Sequence, residues 1–362
     1  MDTYRHVFPA RILPIVSDPA LQTSPSDDAR QRAAKVAALR PVYDLVKEQF
    51  QAVNALIPTQ LTSDVDLVIE IGEHIVNSGG KRLRPLMVLL TTGALGYRGE
   101  CHTHLAATIE FLHTATLLHD DVVDHSDMRR GRVTANEKWG NAPSVLVGDF
   151  LYSRAFQMMI DIGDMQIMAI LAKATNTIAE GEVLQLANIG NTNTTEIEYR
   201  EIIRCKTAML FEAATHTGAV LACSGKHMSE DKVEALRRFG LHFGITYQLV
   251  DDWLDYVGDA TTMGKRAGDD LAEGKLTLPL IYALTHASPH DCTIIQEAIT
   301  SQSADALPTI LDIVTGSGAL DYTRAAVHKE AEKAIACLDQ IPPGPYTDAL
   351  HTLTEFSTDR LF

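Results

Sequence analysis

No stretch of about 18 consecutive apolar residues occurs in this chain of 362 residues, so a membrane-spanning helix is not expected. Basic residues are scarce: 31 Lys and Arg stand against 47 Asp and Glu, a net charge of −16. A nucleic-acid binder needs a basic face, which this balance argues against. Cysteines are few and odd in number, and Cys101, Cys205, Cys223, Cys292 and Cys337 form no C-x-x-C pair. That pattern points to reduced thiols in a reducing compartment, not to a disulfide framework. Cys101 with His102 and His104 has the donor types of a metal site, but no second half matches it. The N-terminus has no charged segment leading into an apolar one, so no secretory leader is expected. Asp2, Asp18, Asp27 and Asp28 also argue against a transit peptide. Convincing β-alternation is missing, and so is any repeat of fixed period.

What is present is helical periodicity in a chain that is 46% hydrophobic. Residues 1–38 carry Pro9, Pro14, Pro19 and Pro25 and read as a flexible tail. From 39 to 362 the pattern predicts one large helical domain. Val42, Leu45, Val46, Phe50, Val53 and Leu56 make a first apolar stripe. Longer periodic blocks follow at 66–78, 83–96, 101–124, 143–161, 165–188, 195–222, 230–257, 277–285 and 320–338, separated by Gly- and Pro-containing punctuation such as "RRGRVTAN" and "WGNAPS".

Two acidic clusters stand inside these apolar blocks. "LLHDDVVDHSDMRRGR" holds Asp120, Asp121 and Asp124, and "QLVDDWLDYVGD" holds Asp251, Asp252 and Asp255, with the same D-D-x-x-D spacing. Residues four apart share a helix face, where like charges destabilise the helix unless a cation lies between them. Two such helices facing across a cavity would offer an oxygen-lined site for a hard divalent cation. Mg²⁺ suits it best, since that ion combines a few carboxylates with water and phosphate oxygens. Basic groups accompany the acids: Lys81, Arg82 and Arg84 at a glycine-flanked helix start in "GGKRLRP", Arg129 and Arg130 after the first cluster, and Lys206, Lys265 and Lys275 further on. A helix start already favours anions, and arginine matches phosphate in a forked geometry. As a set they read as clamps for two diphosphate groups.

"GGKRLRP", "LLHDDVVDHSDMRRGR", "GDFLYSRAFQMM", "EGEVLQL", "KTAMLFEAA", "YQLVDDWLDY" and "GDDLAEGKLTLPL" follow one another in an order that resembles the trans-type (all-E) polyprenyl diphosphate synthases. The match runs from about residue 60 to the C-terminus and is nearest to the long-chain, octaprenyl type that supplies quinone side chains. The resemblance implies an all-α fold, a single large helical domain around a deep central cavity (the isoprenoid synthase fold), usually a homodimer and cytoplasmic. It implies successive condensation of isopentenyl diphosphate onto an allylic diphosphate, farnesyl diphosphate by expectation, with two or three Mg²⁺ ions per site. Carried over by motif, Asp120 and Asp124 would ligate Mg²⁺ with support from Asp121. Asp251 would ligate from the opposite wall, with Asp252 and Asp255 assisting. Arg129, Lys206, Lys265 and Lys275 would hold the allylic diphosphate. Lys81, Arg84, His113 and Arg130 would hold isopentenyl diphosphate, and Thr207 and Gln248 would face the reacting carbons. No side chain stands out as the base, and the released diphosphate fills that role.

Product length should depend on what lies below the first cluster. Ala115 and Thr116 fall about 6 to 7.5 Å from Asp120 along a helix, and a bulky aromatic there would stop elongation early. Ala115 leaves the path open. Phe111, one turn further, and Phe156 and Met159 on another helix are candidates for wall or floor. Other readings are a class I terpene cyclase, which needs no second diphosphate site, a non-catalytic subunit of a heteromeric synthase, and a shorter-chain geranylgeranyl-type enzyme.

Overall fold

The computed structural model describes residues 39–224, 230–257 and 268–359, and these are helical almost throughout. Helical residues 39–45 lead into α1 (Lys47–Thr59), α2 (Asp66–Val76), α3 (Leu83–Ala94) and α4 (Cys101–Val123). A two-stranded hairpin, β1 (Met128–Arg129) and β2 (Arg132–Val133), precedes α5 (Ala135–Trp139), α6 (Asn141–Ile162) and α7 (Met165–Ala187). Then come α8 (Glu196–Ile203), a π-helical turn at Arg204–Ala208, α9 (Met209–Cys223) and α10 (Glu230–Val257). The remainder is α11 (Asp269–Ala272), α12 (Leu278–His286), α13 (Pro289–Ser301), α14 (Leu307–Gly316), α15 (Ala319–Leu338) and α16 (Pro345–Thr358).

Two helices organise this set. α4 buries Leu105, Ile109, Phe111, Leu112, Ala115 and Leu118, and packs along α6 and α3. α10 packs along α9 and α15. Its N-terminal half (Leu236, Phe239, Phe243) joins a core shared with α3, α4, α6, α7 and α9. Its C-terminal half (Leu249, Val250, Trp253, Tyr256) joins a second core with α8 and α12–α15. A helix buried nearly all round is an interior element, so the ends of α4 and α10 are fixed by packing on several sides.

Most of the predicted blocks agree with the helices to within a few residues. Five helices fall outside the expected blocks, the short α5 and α11 and the longer α13, α14 and α16; the last three share a feature. Each has proline in its first turn, at Pro289, Pro308 and Pro345. Proline costs nothing there, because its missing N–H would be unpaired in any case. The block expected at 195–222 is interrupted by the π-helical turn, and the "RRGR" punctuation is a hairpin whose register pairs Met128 with Val133 and Arg129 with Arg132. The tail expected at 1–38 lies outside the described residues.

Candidate active site

Both acidic clusters sit at the C-terminal ends of their helices. Asp120 and Asp121 are in the last turn of α4 and Asp124 is its C-cap. Asp251, Asp252 and Asp255 lie in the last two turns of α10. The carbonyl end of a helix carries partial negative charge, so acids there are disfavoured and cations are drawn in. Burial pushes the Asp120 carboxyl up; Asp124 adds to the rise, while Lys206, Arg129 and Lys275 oppose it. Asp121 accepts from Arg129 Nε at 2.7 Å, with its side chain 1% exposed. This ion pair pins the hairpin to the end of α4.

The segment 268–275 joins the clusters. The Gly268 amide donates to the Asp255 carbonyl at 3.2 Å, and the Asp270 amide to Asp255 Oδ2 at 3.3 Å. The Lys275 amide donates to the Asp270 carbonyl at 2.8 Å. Lys275 Nζ then reaches Asp124 Oδ1 at 3.2 Å and Glu273 Oε2 at 2.5 Å. Glu273, Asp124 and Asp270 outweigh burial and hold the Lys275 ammonium above its ordinary range. The first cluster is thus connected to the second through one short stretch of backbone.

Lys206 enters from the π-helical turn. Its Nζ lies 2.7 Å from Glu182 Oε2 on α7. Gln185, with its amide oxygen turned inward, accepts from Lys206 Nζ at 3.2 Å and Lys275 Nζ at 3.3 Å. Burial, then the nearby Asp120, push Glu182 up to about 7, and Lys206 restrains the rise. The turn is wedged between two glycines. A Cβ on Gly181 would lie 2.7 Å from Cys205 Cβ and 2.9 Å from Lys206 N, and one on Gly244 would lie 2.5 Å from Ala208 Cα. Single π-helical turns cluster at functional sites, and this one turns Lys206 and Thr207 toward α7 and α10. Thr207 Oγ1 donates to Gln248 Oε1 at 2.7 Å.

A second cationic place is built from α3, α4 and the hairpin. Arg84 Nη1 donates to His113 Nε2 at 3.2 Å, and its guanidinium lies 4.2 Å from the centre of the Phe211 ring. Burial pulls Arg84 down to about 10, with Tyr247 and Glu110 opposing, so it stays a cation at neutral pH. Burial and then Arg84, Arg130 and Arg129 hold the His113 imidazole well below its usual range. Glu110 Oε1 lies 3.8 Å from Arg82 Nε, and its Oε2 is buried without a hydrogen bond. Arg130 and Gly131 form the hairpin loop with φ of 52° and 74°, both left-handed as a type I′ turn requires. The tip thereby carries Arg130 Nη1 onto the Gly79 carbonyl. A Cβ on Gly80 would lie 2.5 Å from that Nη1, so only glycine leaves the guanidinium room. The Lys81 carbonyl accepts from Tyr43 OH at 2.6 Å, and Lys81 Nζ lies 4.9 Å from the Phe356 ring centre.

Lys265 lies outside the described residues. Ala115 (0% exposed) and Phe111 (2%) are core residues of α4, and half-buried Thr116 donates to the His113 carbonyl at 2.8 Å. Met159 is buried and Phe156 partly buried on α6. His102 packs against the Tyr97 ring at 5.6 Å, and all five cysteines are free. Reading by motif passed over Glu110, Glu182, Gln185, Tyr199 and Glu273, because each is embedded in a segment taken as periodic helix or punctuation. The one available signal was that Glu182 and Gln185 stand in "EGEVLQL", polar within an apolar block.

The family profile described as polyprenyl synthetase matches residues 65–314. Octaprenyl diphosphate synthase of Escherichia coli (strain K12) is 46% identical over 323 residues, which is 89% of this chain and 99% of that one. The all-trans-nonaprenyl-diphosphate synthase (geranyl-diphosphate specific) of Rhodobacter capsulatus is 45% identical over 317 residues, 87% of this chain and 96% of that one. The crystal structure of a polyprenyl synthase from Caulobacter crescentus CB15, complexed with calcium and isoprenyl diphosphate, superposes with a TM-score of 0.85 at 43% identity, covering 88% of this chain and 97% of that one. With two D-D-x-x-D clusters closing the ends of buried helices and this extent of likeness, the chain belongs to the polyprenyl synthetase family and has the isoprenoid synthase fold of the trans-polyprenyl diphosphate synthases.

Proposed function

We propose that this prenyltransferase condenses isopentenyl diphosphate successively onto an allylic diphosphate, farnesyl diphosphate by preference, to give a long all-trans chain of octaprenyl length. The observation that carries this reading is that two cationic places lie beside the acidic clusters. Lys206 and Lys275 meet at Gln185 next to Asp124. Arg84, with Arg130 near it, flanks His113. Two diphosphates need two such places, whereas a terpene cyclase needs one.

In this reading Lys206, Lys275, Arg129 and Lys265 hold the allylic diphosphate, and Lys81, Arg84, His113 and Arg130 hold isopentenyl diphosphate. His113 works as a neutral ring that accepts from Arg84, and Asp121 orients Arg129. Among the described residues no group of three His, Cys, Asp or Glu side chains converges as a complete metal site. The donors are carboxylates four residues apart, Asp120 among them pushed up by burial and by Asp124, and they fit a hard cation that takes the rest of its shell from diphosphate and water. Asp120, Asp124, Asp251 and Asp255 are the residues we assign to hold Mg²⁺, which would supply positive charge against the departing diphosphate. The protein's own cations aim at the same diphosphate from fixed positions, which lowers the barrier without reorganisation. Thr207 and Gln248 face the allylic carbon as it ionises, and the double bond of the second substrate captures it. The released diphosphate takes the proton.

Ala115 supports the long product over a geranylgeranyl-type one, and the presence of both acidic clusters and both sets of cations disfavours a non-catalytic subunit. The nonaprenyl relative, nearly as similar as the octaprenyl one, makes a product one unit longer the runner-up. We assign the chain to the cytoplasm as a homodimer; no described helix is long and apolar enough to cross a membrane. The test is incubation with Mg²⁺, labelled isopentenyl diphosphate and farnesyl diphosphate, followed by dephosphorylation and sizing of the alcohols. A single polyprenol of octaprenyl length is expected. A product stopping at geranylgeranyl length would overturn the open-path reading of Ala115, and no incorporation would overturn the synthase reading.

A further inference from the structure

A line of buried and half-buried polar groups runs behind the second acidic cluster. Thr207 Oγ1 donates to Gln248 Oε1 at 2.7 Å, and Gln248 Nε2 donates to Asp252 Oδ1 at 2.6 Å. Tyr199 OH donates to the other carboxylate oxygen, Asp252 Oδ2. Tyr199 and Asp252 are each 3% exposed. The two oxygens of Asp252 are therefore divided between two donors of the protein itself.

The order of the line fixes the direction of one amide. With Asp252 Oδ2 taken by Tyr199, the NH₂ of Gln248 faces Asp252 Oδ1 and its oxygen faces Thr207. Turning the amide over would break both of the hydrogen bonds that Gln248 makes in this line. Tyr199 holds the other oxygen of the carboxylate and so restrains its rotation. Tyr199 belongs to α8, whose start is fixed by a capping box between Thr195 and Glu198. Thr207 belongs to the π-helical turn directly after α8. One stretch of chain therefore grips Gln248 and Asp252 of α10 from both ends.

We propose that Tyr199, acting through Asp252, is a positioning residue for the condensation: it locks the Gln248 amide so that its oxygen, beside the Thr207 hydroxyl, is presented to the allylic carbon as positive charge develops there. This rests on the reading above that Thr207 and Gln248 face the reacting carbons. An amide oxygen has two lone pairs; Thr207 occupies one, and the other is held in place for the cation. A dipole fixed beforehand stabilises charge more than one that must swing into place.

The test is the single-turnover rate of the first condensation, with KM for both substrates and the Mg²⁺ half-saturation measured alongside. Tyr199→Phe should slow that step about tenfold, as expected for a misdirected reacting group, and leave both KM values and the Mg²⁺ requirement unchanged. In a Gln248→Ala background the same change should cost nothing more, since the group it positions is gone. Equal slowing in both backgrounds would overturn the proposal. Asp252→Asn, whose oxygen can still accept from Gln248, should keep most of the rate that Asp252→Ala loses; equal losses would also overturn it, as would a raised Mg²⁺ requirement in Asp252→Asn alone. A wild-type rate in Gln248→Ala would instead sink the reading of Gln248 on which the inference rests.

Discussion

Burial decides what His113 can do. Its ring lies beneath Arg84 and in the field of Arg130 and Arg129, and its pKa sits well below the usual value of 6.5. A depressed histidine favours the folded state while both forms are neutral, above the unfolded pKa. That advantage is lost as pH falls from 6.5 toward the folded value, because only the unfolded chain takes up the proton. The slope is about 1.4 kcal/mol per pH unit once the unfolded histidine is protonated. Urea unfolding of the unliganded protein at pH 7.5 and 5.5 should show the wild type losing about 1 kcal/mol more than His113→Gln. Equal losses would mean that the imidazole is not shielded as the structure has it. Arg130 shows the converse, a residue placed where its backbone is disfavoured. Its φ of 52° suits Asn or Gly at the first loop position of a type I′ turn. Arg130→Asn should therefore change stability by less than about 1 kcal/mol, relief of the turn offsetting the lost bond to Gly79. KM for isopentenyl diphosphate should rise about 10- to 100-fold, the worth of one charged hydrogen bond. A variant with unchanged KM would remove Arg130 from that pocket.

At the scale of elements, the π-helical turn depends on the absence of two side chains. Gly244→Ala would press a methyl against Ala208 backbone that cannot yield. It should cost about 1–3 kcal/mol by overpacking and raise KM for the allylic diphosphate, since Lys206 and Thr207 move with the turn. Gly316→Ala, where a Cβ meets open space, is the control and should be neutral or gain up to about 1 kcal/mol. Thermal unfolding with steady-state kinetics separates the two. This turn also marks where sequence reading stops. α4 and α10 were legible because their apolar spacing continues up to the aspartates. Motif alone singles out Lys206 and Lys275, which the structure brings together at Gln185, and Arg84, which it sets on His113. The π-helical turn was not legible, since one extra residue in a helix leaves the apolar pattern of 195–222 nearly intact. α13, α14 and α16 lie where no apolar block is assigned, although a proline in the first turn is itself a start signal. Tyr199 and Glu110 were missed because what distinguishes them is a partner distant in sequence: Asp252 for one, the arginines of α3 and the hairpin for the other.

At the scale of the whole molecule, α6 and α7 leave apolar side chains facing outward. Leu146 is 66% exposed, Ile160 63%, Val183 65% and Leu186 44%. On α7, Ala179, Val183, Leu186 and Ala187 share one face by helical spacing. These positions are close to the site. Val183 lies between Glu182 and Gln185 in sequence. The Val145 carbonyl, next to Leu146, lies 3.2 Å from Nε2 of His119, the residue before Asp120. Isolated apolar residues on a surface need no explanation, but a row of them along one helix marks an interaction face, and a second copy of the chain is the occupant implied by the homodimer reading. Sedimentation equilibrium should give a dimer. Leu146→Glu combined with Val183→Glu should give a folded monomer with helical circular dichroism intact and kcat reduced about tenfold, because the backs of α6 and α7 that brace His119, Glu182 and Gln185 would then be wet and mobile. A wild-type protein that sediments as a monomer would refute the assembly. A double variant that stays dimeric would place the interface on another face. A fully active monomer would show that α4, α10 and the segment 268–275 hold the aspartates in register without help from a partner.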